Sequence, residues 1–251
     1  MLKKERQNEI IKMIQNEGKA IAKELSIHLN VSEDTIRRDL REMDAKGLIQ
    51  RVHGGAFPIS QSAITFAERN EELLESKRVL AMKGLELVTD GQVILLDGST
   101  TNLQLAKELP EQLHATIITN SPTICLELSG HPHLEVITLG GTLFKDSLVN
   151  VGLPVIKTLE DLRADLCFLG VYSIHPEFGI SEPHMEESFV RQQMIKSSNK
   201  IATLVTKNKL NTISNYKIGS IASLDYLITE GEIPSHVLKG YEDVDIEVIR
   251  C

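Results

Sequence analysis

Val31-Ser32-Glu33-Asp34-Thr35-Ile36-Arg37-Arg38-Asp39-Leu40 decides the N-terminal architecture of this chain. Ser32 has the side chain of a helix N-cap, Glu33 and Asp34 suit the positive end of the helix dipole, and Val31 can staple onto Ile36. Ile36, Leu40 and Met43 then recur on one helical face. Arg37, Arg38 and Arg41 fall off that face and must meet solvent or a partner. A helix fits the DNA major groove, and Arg can offer two parallel donors to a guanine edge or to phosphate.

Upstream, Ile10, Ile11 and Ile14 share a face of a helix over Lys3–Glu17, which Gly18 ends. Ile21, Leu25 and Leu29 recur every four residues, which predicts a second helix over Ala20–Leu29. Asn30 then supplies the left-handed conformation that a tight turn needs. Two helices joined by a short turn, the second capped and arginine-bearing, read as a helix-turn-helix. The competing reading is a small dimerisation module with a solvated charged face. Downstream, Gly47-Leu48-Ile49-Gln50-Arg51-Val52-His53-Gly54-Gly55-Ala56 reads as a short extended pair with a glycine turn, a wing beside the recognition helix that carries the basic Arg51.

Taken together, Val31–Leu40 and the following Arg51-Val52-His53-Gly54-Gly55-Ala56 resemble, without gaps, the signature of DeoR-type bacterial transcriptional regulators. That resemblance implies a winged helix-turn-helix followed by a sugar-responsive domain. It places Ser32, Thr35, Arg37, Arg38, Arg41, Arg51 and His53 at the DNA.

Phe57-Pro58-Ile59-Ser60-Gln61-Ser62 has no periodicity, so a boundary belongs there. The charged stretch Phe66–Leu74 reads as a helix that connects the head to the body or pairs with another subunit. From Ser76 on, strands at Val93–Leu96, Thr116–Thr119, Glu135–Leu139, Leu166–Gly170 and Ile201–Val205 alternate with helical patterns. That predicts an α/β domain with a largely parallel sheet. The division expected is a head over 1–57, a linker over 58–75, a sensor body over 76–233 and a C-terminal strand or tail over 234–251.

Ligands of such sheets gather at the carboxyl ends of the strands. After Val93–Leu96 comes Asp97-Gly98-Ser99-Thr100-Thr101, running straight into a helix. Its backbone N–H groups and three hydroxyls suit a phosphate, although an ordinary capped turn would look the same. Two further strands end in Thr119-Asn120-Ser121 and Gly140-Gly141-Thr142, which favours the phosphate reading. These segments also resemble landmarks of the DeoR-type sensor domain, which is similar in fold to ribose-5-phosphate isomerase. The resemblance adds Gly152 and Lys209 to the expected effector site. It departs where the family carries acidic residues and this chain has Tyr172 and Thr206, and where a family serine is Asn208.

The rest of the sequence narrows the function classes. Residues 1–56 hold eleven Lys/Arg against nine Asp/Glu, leaving sixteen against twenty-six in the remainder, a mildly basic head on an acidic body. Three dispersed cysteines with no Cys-x-x-Cys argue against a disulfide scaffold or zinc ribbon. Apolar runs such as Leu166–Leu169 are far below the ~20 residues of a membrane span, and the basic start Met1–Arg6 lacks a signal-peptide hydrophobic stretch. His131, His133, His175 and His184 show no metal-ligand spacing, and Asp165 and Asp225 read as turn residues. No nucleophile elbow, dinucleotide loop or Walker-type loop is present. The expectation is a cytoplasmic repressor of a sugar-metabolism operon, without catalytic residues, metal or cofactor. Its partners would be double-stranded operator DNA, a phosphorylated sugar and further copies of itself as a homodimer or homotetramer, with no membrane. An isomerase-like enzyme with a helical appendage and a protein-binding adaptor are the competing classes.

Overall fold

Ser32 caps its helix as the sequence reading requires: its Oγ accepts from the Thr35 N–H at 3.3 Å. The computed structural model describes residues 1–17, 20–52, 54–58 and 65–251. Three helices, α1 (Lys3–Glu17), α2 (Ala22–His28) and α3 (Glu33–Ala45), enclose the head's core of Ile10, Ile14, Leu25, Ile36, Leu40, Met43 and Ile49. Asn30 takes the left-handed conformation at φ 50° between α2 and α3. Gly18, expected to end α1, lies outside the described residues.

The second helix starts two residues later than its periodicity suggests. Ala20–Ile21 forms a short strand, β1, against the wing strand β3 (Gly55–Phe57), which also pairs with β2 (Gln50–Val52). The Ala22 N–H, left without a side-chain cap, donates to the Gly54 carbonyl at 2.8 Å. Tertiary pairing with the wing thus overrides the helical spacing of Ile21. Across the head, buried Asp39 of α3 takes the Arg6 Nε of α1 at 2.5 Å.

The segment Phe66–Leu74 is not one helix. It divides into α4 (Phe66–Glu71), opened by a Thr65–Glu68 capping box, and α5 (Leu74–Gly84), with left-handed Leu73 at φ 51° between them. Phe66 packs into the core of the body, and Arg69 donates to the Asp146 carbonyl at 3.0 Å and the Ser147 hydroxyl at 3.3 Å.

The body then runs β4 (Val93–Leu96), α6 (Thr100–Lys107), β5 (Ala115–Thr119), α7 (Pro122–Leu128), β6 (Leu134–Thr138), β7 (Thr142–Phe144), β8 (Val149–Val151), α8 (Leu153–Glu160) and β9 (Ala164–Phe168). It continues with β10 (Ser173–His175), β11 (Gly179–Glu182), α9 (Met185–Lys196), β12 (Ser198–Val205), β13 (Tyr216–Gly219), β14 (Tyr226–Thr229), α10 (Ser235–Glu242) and β15 (Glu247–Arg250). The main sheet has the order β15-β14-β12-β9-β4-β5-β6 with every neighbouring pair parallel. Apolar clusters cover both faces, which is why β4 and β9 read as continuous hydrophobic runs. The chain proceeds outward from β4 through β5 and β6, then returns to the other side of β4 through β9. That reversal makes the carboxyl ends of β4 and β9 the topological switch point.

Smaller antiparallel units, β7–β8 and β10-β11-β13, have strands of three or four residues, too short for alternation to show in sequence. The C-terminal residues are integral to the body: β15 extends the main sheet, and fully buried Tyr241 donates its hydroxyl to the Ile174 carbonyl at 2.9 Å. Asp165 lies within β9 rather than in a turn, and its carboxylate accepts the Val93 N–H at 2.8 Å. Asp225, just before β14, accepts the Ile201 N–H at 2.8 Å and pairs with Lys200. Both tie one strand's start to the next. Among the described residues no helix is long and apolar enough to cross a membrane.

Candidate functional site

The head presents one arginine-bearing surface. With Ile36, Leu40 and Met43 turned into the core, α3 exposes Arg37, Arg38 and Arg41. Arg37 and Arg51 line a common groove between α3 and the wing, with Val52 and Gly54 at its edge. The wing is fixed to α3 by the Arg51 N–H, which donates to the Asp44 carboxylate at 2.9 Å. Arg37 is held by Glu33, one helical turn away, at 2.9 Å. Ser32 and Thr35 bond to each other at 2.9 Å, so both hydroxyls serve the helix start. His53 lies outside the described residues.

The second site is a cleft at the switch point. Gly98, Ser99 and Thr100 form one wall at the start of α6, and Gly170, Val171 and Tyr172 after β9 form another. Thr206, Asn208 and Lys209 follow β12, while Arg69 and Lys77 come from α4 and α5. Of the expected effector residues, Gly98, Ser99, Thr100 and Lys209 line this cleft. The Ser99 hydroxyl is the cap of α6, accepting from the Asn102 N–H at 3.0 Å.

The other expected residues support that wall or lie elsewhere. Asp97 is buried beneath it, its carboxylate accepting the Gly170 N–H at 2.9 Å and the Arg191 Nε at 2.7 Å. Gly170 must be glycine for this approach, because a Cβ there would lie 2.7 Å from the Asp97 Oδ2. Thr101 is buried within α6. Asn120 accepts the Gly98 N–H at 3.0 Å and donates to the Asn150 carbonyl, bracing the wall from β5. Thr119 accepts from the Ser121 N–H, and Ser121 caps α7. Gly141 backs onto Val151 and Val155, Gly140 has open space around it, and Gly152 opens α8 at φ 99°.

The sequence reading missed the charge system under and around the cleft. Buried Arg191 of α9 binds Asp97 at 2.7 Å, Glu187 at 3.1 Å and Glu182. Burial opposes the Arg191 charge, but Asp97, Glu182 and Glu187 together outweigh it and push its ionisation upward. Burial raises the Glu182 carboxyl to about 7 despite the attraction of Arg191, and raises Asp97 for the same reason. On the facing side, half-buried Lys209 is pushed down to about 7, first by desolvation and then by the charges of Lys77, Arg191 and Arg69. Desolvation likewise lowers buried Lys77 to about 8. Lys209 donates to the Val171 carbonyl at 2.5 Å and Lys77 to the Arg69 carbonyl. Among the described residues neither ammonium has an ion-pair partner. The spacing of Glu187 and Arg191 was the available signal, but it looks the same as an exposed helix pair.

His184 departs from the sequence expectation. His184 does meet carboxylates, since the turn from β11 into α9 brings it within 4.8 Å of Glu182 and Glu187. Both carboxylates are already engaged by the Arg191 guanidinium. The Thr206 hydroxyl donates to the Asn208 side-chain carbonyl at 2.6 Å. The neutral residues noted in sequence thus do line the cleft.

Comparison with known proteins agrees with this two-part layout. Residues 6–62 match the DeoR-like helix-turn-helix domain, and residues 72–231 match the DeoR C terminal sensor domain. The chain is 31% identical to the HTH-type transcriptional regulator GlpR of Haloferax volcanii, over 99% of this chain and 98% of that protein. It is 33% identical to the HTH-type transcriptional regulator GolR of Listeria innocua, over 97% of each. It is 27% identical to the glycerol-3-phosphate regulon repressor of Escherichia coli, over 100% of each. Among solved structures, ribose 5-phosphate isomerase A from Methanocaldococcus jannaschii aligns over 54% of each chain, with 17% identity and a TM-score of 0.40. An arginine-bearing winged head, a parallel α/β body and matches to both domain models along nearly the whole chain lead to one conclusion: the protein belongs to the DeoR family of helix-turn-helix transcriptional regulators.

Proposed function

We propose that α3 and the wing read operator DNA through Arg37, Arg38, Arg41 and Arg51, with Ser32, Thr35 and His53 at the same surface. A phosphorylated sugar held between the start of α6 and Lys209 controls that contact. The observation that carries the second half is the pair of ammonium groups on Lys77 and Lys209. Both line the cleft and give their hydrogen bonds to carbonyls. Desolvated cations beside a helix start favour a compact anion. Glu182 and Glu187 can accept from sugar hydroxyls, Asp97 and Asn120 brace the walls at Gly170 and Gly98, and Ser121 packs behind Gly98.

The protein then acts as a repressor of sugar metabolism that works in the cytoplasm by binding rather than by catalysis. A single head reads one half-site, so a homodimer or homotetramer paired through the bodies gives operator affinity. Calorimetric titration of phosphorylated and free sugars into the wild type and Lys209→Met tests the cleft. Binding of phosphorylated sugars that is lost in Lys209→Met is the expected result. Binding of free sugars alone, or undiminished phosphate-dependent binding in the variant, would overturn the assignment.

A further inference from the structure

Phe57, the last residue of the wing, is only 5% exposed, yet it is outside the head's own apolar core. Its ring is covered by the body. The His175 ring stands 4.6 Å from it at 80°, and the Phe178 ring stands 5.0 Å away at 71°. His175 and Phe178 also meet each other at 5.1 Å and 68°, so the three rings close an edge-to-face cluster. Both body rings belong to the β10–β11 hairpin, whose loop is short because His175 pairs with Gly179.

That hairpin begins directly after the cleft. Gly170, Val171 and Tyr172 line the cleft, and Ser173 starts β10. The connecting segment is tied down along its length. Gly170 donates to Asp97, Val171 accepts from Lys209, Ser173 bonds to Ser214 at 2.7 Å, and Ile174 accepts from Tyr241. Only Tyr172, Ser173 and Ile174 separate Val171 from His175, so the cleft wall and the ring cluster share one short segment.

We propose that the β10–β11 hairpin is a latch on the wing: the Phe57–His175–Phe178 cluster carries the state of the effector cleft to the DNA-reading head. This rests on the cleft being the effector site. An anion drawing the Lys209 ammonium off the Val171 carbonyl changes the hairpin's anchorage and thus its hold on Phe57. The ligand shifts the head only by its differential affinity for the two arrangements.

Hydrogen exchange of the full chain, with and without inorganic phosphate, tests the latch in wild type, Phe178→Ala and Phe178→Tyr. Phe178 is 37% exposed, so the tyrosine variant keeps the ring and can solvate its hydroxyl. Without phosphate, Phe178→Ala should raise exchange in β3 roughly 2–10-fold, the loss of an aromatic contact, while Phe178→Tyr should not. With phosphate, exchange should change in both the 170–172 loop and β3 of the wild type, and in the loop alone of Phe178→Ala. A phosphate response in the loop without one in wild-type β3, or an undiminished β3 response in Phe178→Ala, overturns the latch. If phosphate alters neither segment in the wild type, the effector-cleft assignment fails. The phosphate-free comparison then decides the contact by itself, and unchanged β3 exchange in Phe178→Ala overturns it.

Discussion

Lys209 gives its ammonium to the backbone carbonyl of Val171, 2.5 Å away, in a cleft where Glu182 and Glu187 are bound to Arg191. Desolvation, and then the charges of Lys77, Arg191 and Arg69, disfavour protonation of the Lys209 amine and lower it to about 7. A bound anion removes that resistance.

The sign of the pH dependence follows. The ammonium form of Lys209 is disfavoured in the empty cleft and favoured beside an anion, so above pH about 7 binding must take up a proton. Lys77, at about 8, extends the same trend. Effector affinity should therefore fall as pH rises from about 7 through 8 and beyond. Calorimetry at pH 8 in buffers of different ionisation enthalpy should report proton uptake. Proton release, or affinity rising with pH in this window, would contradict the electrostatic reading.

Asp39→Ala should destabilise the head by about 3 kcal/mol, because breaking a buried ion pair leaves the partner charge uncompensated. The figure sits at the low end of that range because the Arg6 side chain keeps 12% exposure. Thermal unfolding checks this, and the double variant Arg6→Leu/Asp39→Leu should recover part of the loss. A neutral Asp39→Ala would remove the pair from the account of head stability.

Gly170→Ala places a Cβ 2.7 Å from the Asp97 Oδ2 and 3.0 Å from the Ser99 Cβ. Overpacking there should cost about 1–3 kcal/mol and weaken the operator response to effector. Denaturant unfolding and a gel shift measure the two halves separately. Wild-type effector affinity in this variant would show that the wall is not needed for the site.

Arg37→Ala, Arg38→Ala, Arg41→Ala and Arg51→Ala should each weaken operator binding. A base-reading arginine costs ~1–3 kcal/mol and relaxes sequence choice at one position, whereas a phosphate contact lowers affinity for all sequences and reduces the salt slope by roughly one. Operator titrations at several salt concentrations distinguish the two. Unchanged affinity in all four variants would sink the recognition-surface assignment.

What could be read in the sequence was local. Ser32, Thr35 and the Ile36–Leu40 stripe announce α3 because capping and helical periodicity act within a few residues. The β4 run ending at Asp97 and Gly98 announces a strand end for the same reason. The Arg191 cluster was not legible, since its bond to Asp97 spans 94 residues and its bond to Glu187 resembles a surface pair. Lys77 sits in a charged helical stretch that gives no hint of burial, although only 4% of it is exposed. Ala20–Ile21 becomes a strand only because the wing offers it a ladder, and Phe57 reads as the start of an aperiodic boundary stretch whose burial against the hairpin rings nothing local announces.

Operator affinity of the full chain, titrated with phosphorylated and free sugars in wild type and Lys209→Met, tests most directly whether an anion in this cleft governs DNA binding. In the wild type a phosphorylated sugar should shift operator affinity by roughly 5–150-fold, the usual scale of allosteric coupling. Lys209→Met lacks the bond to Val171, so its operator affinity without sugar should lie near that of the effector-bound wild type, and a phosphorylated sugar should produce no further shift. A wild-type shift produced only by unphosphorylated sugars, or a full phosphate-dependent shift in Lys209→Met, would contradict it.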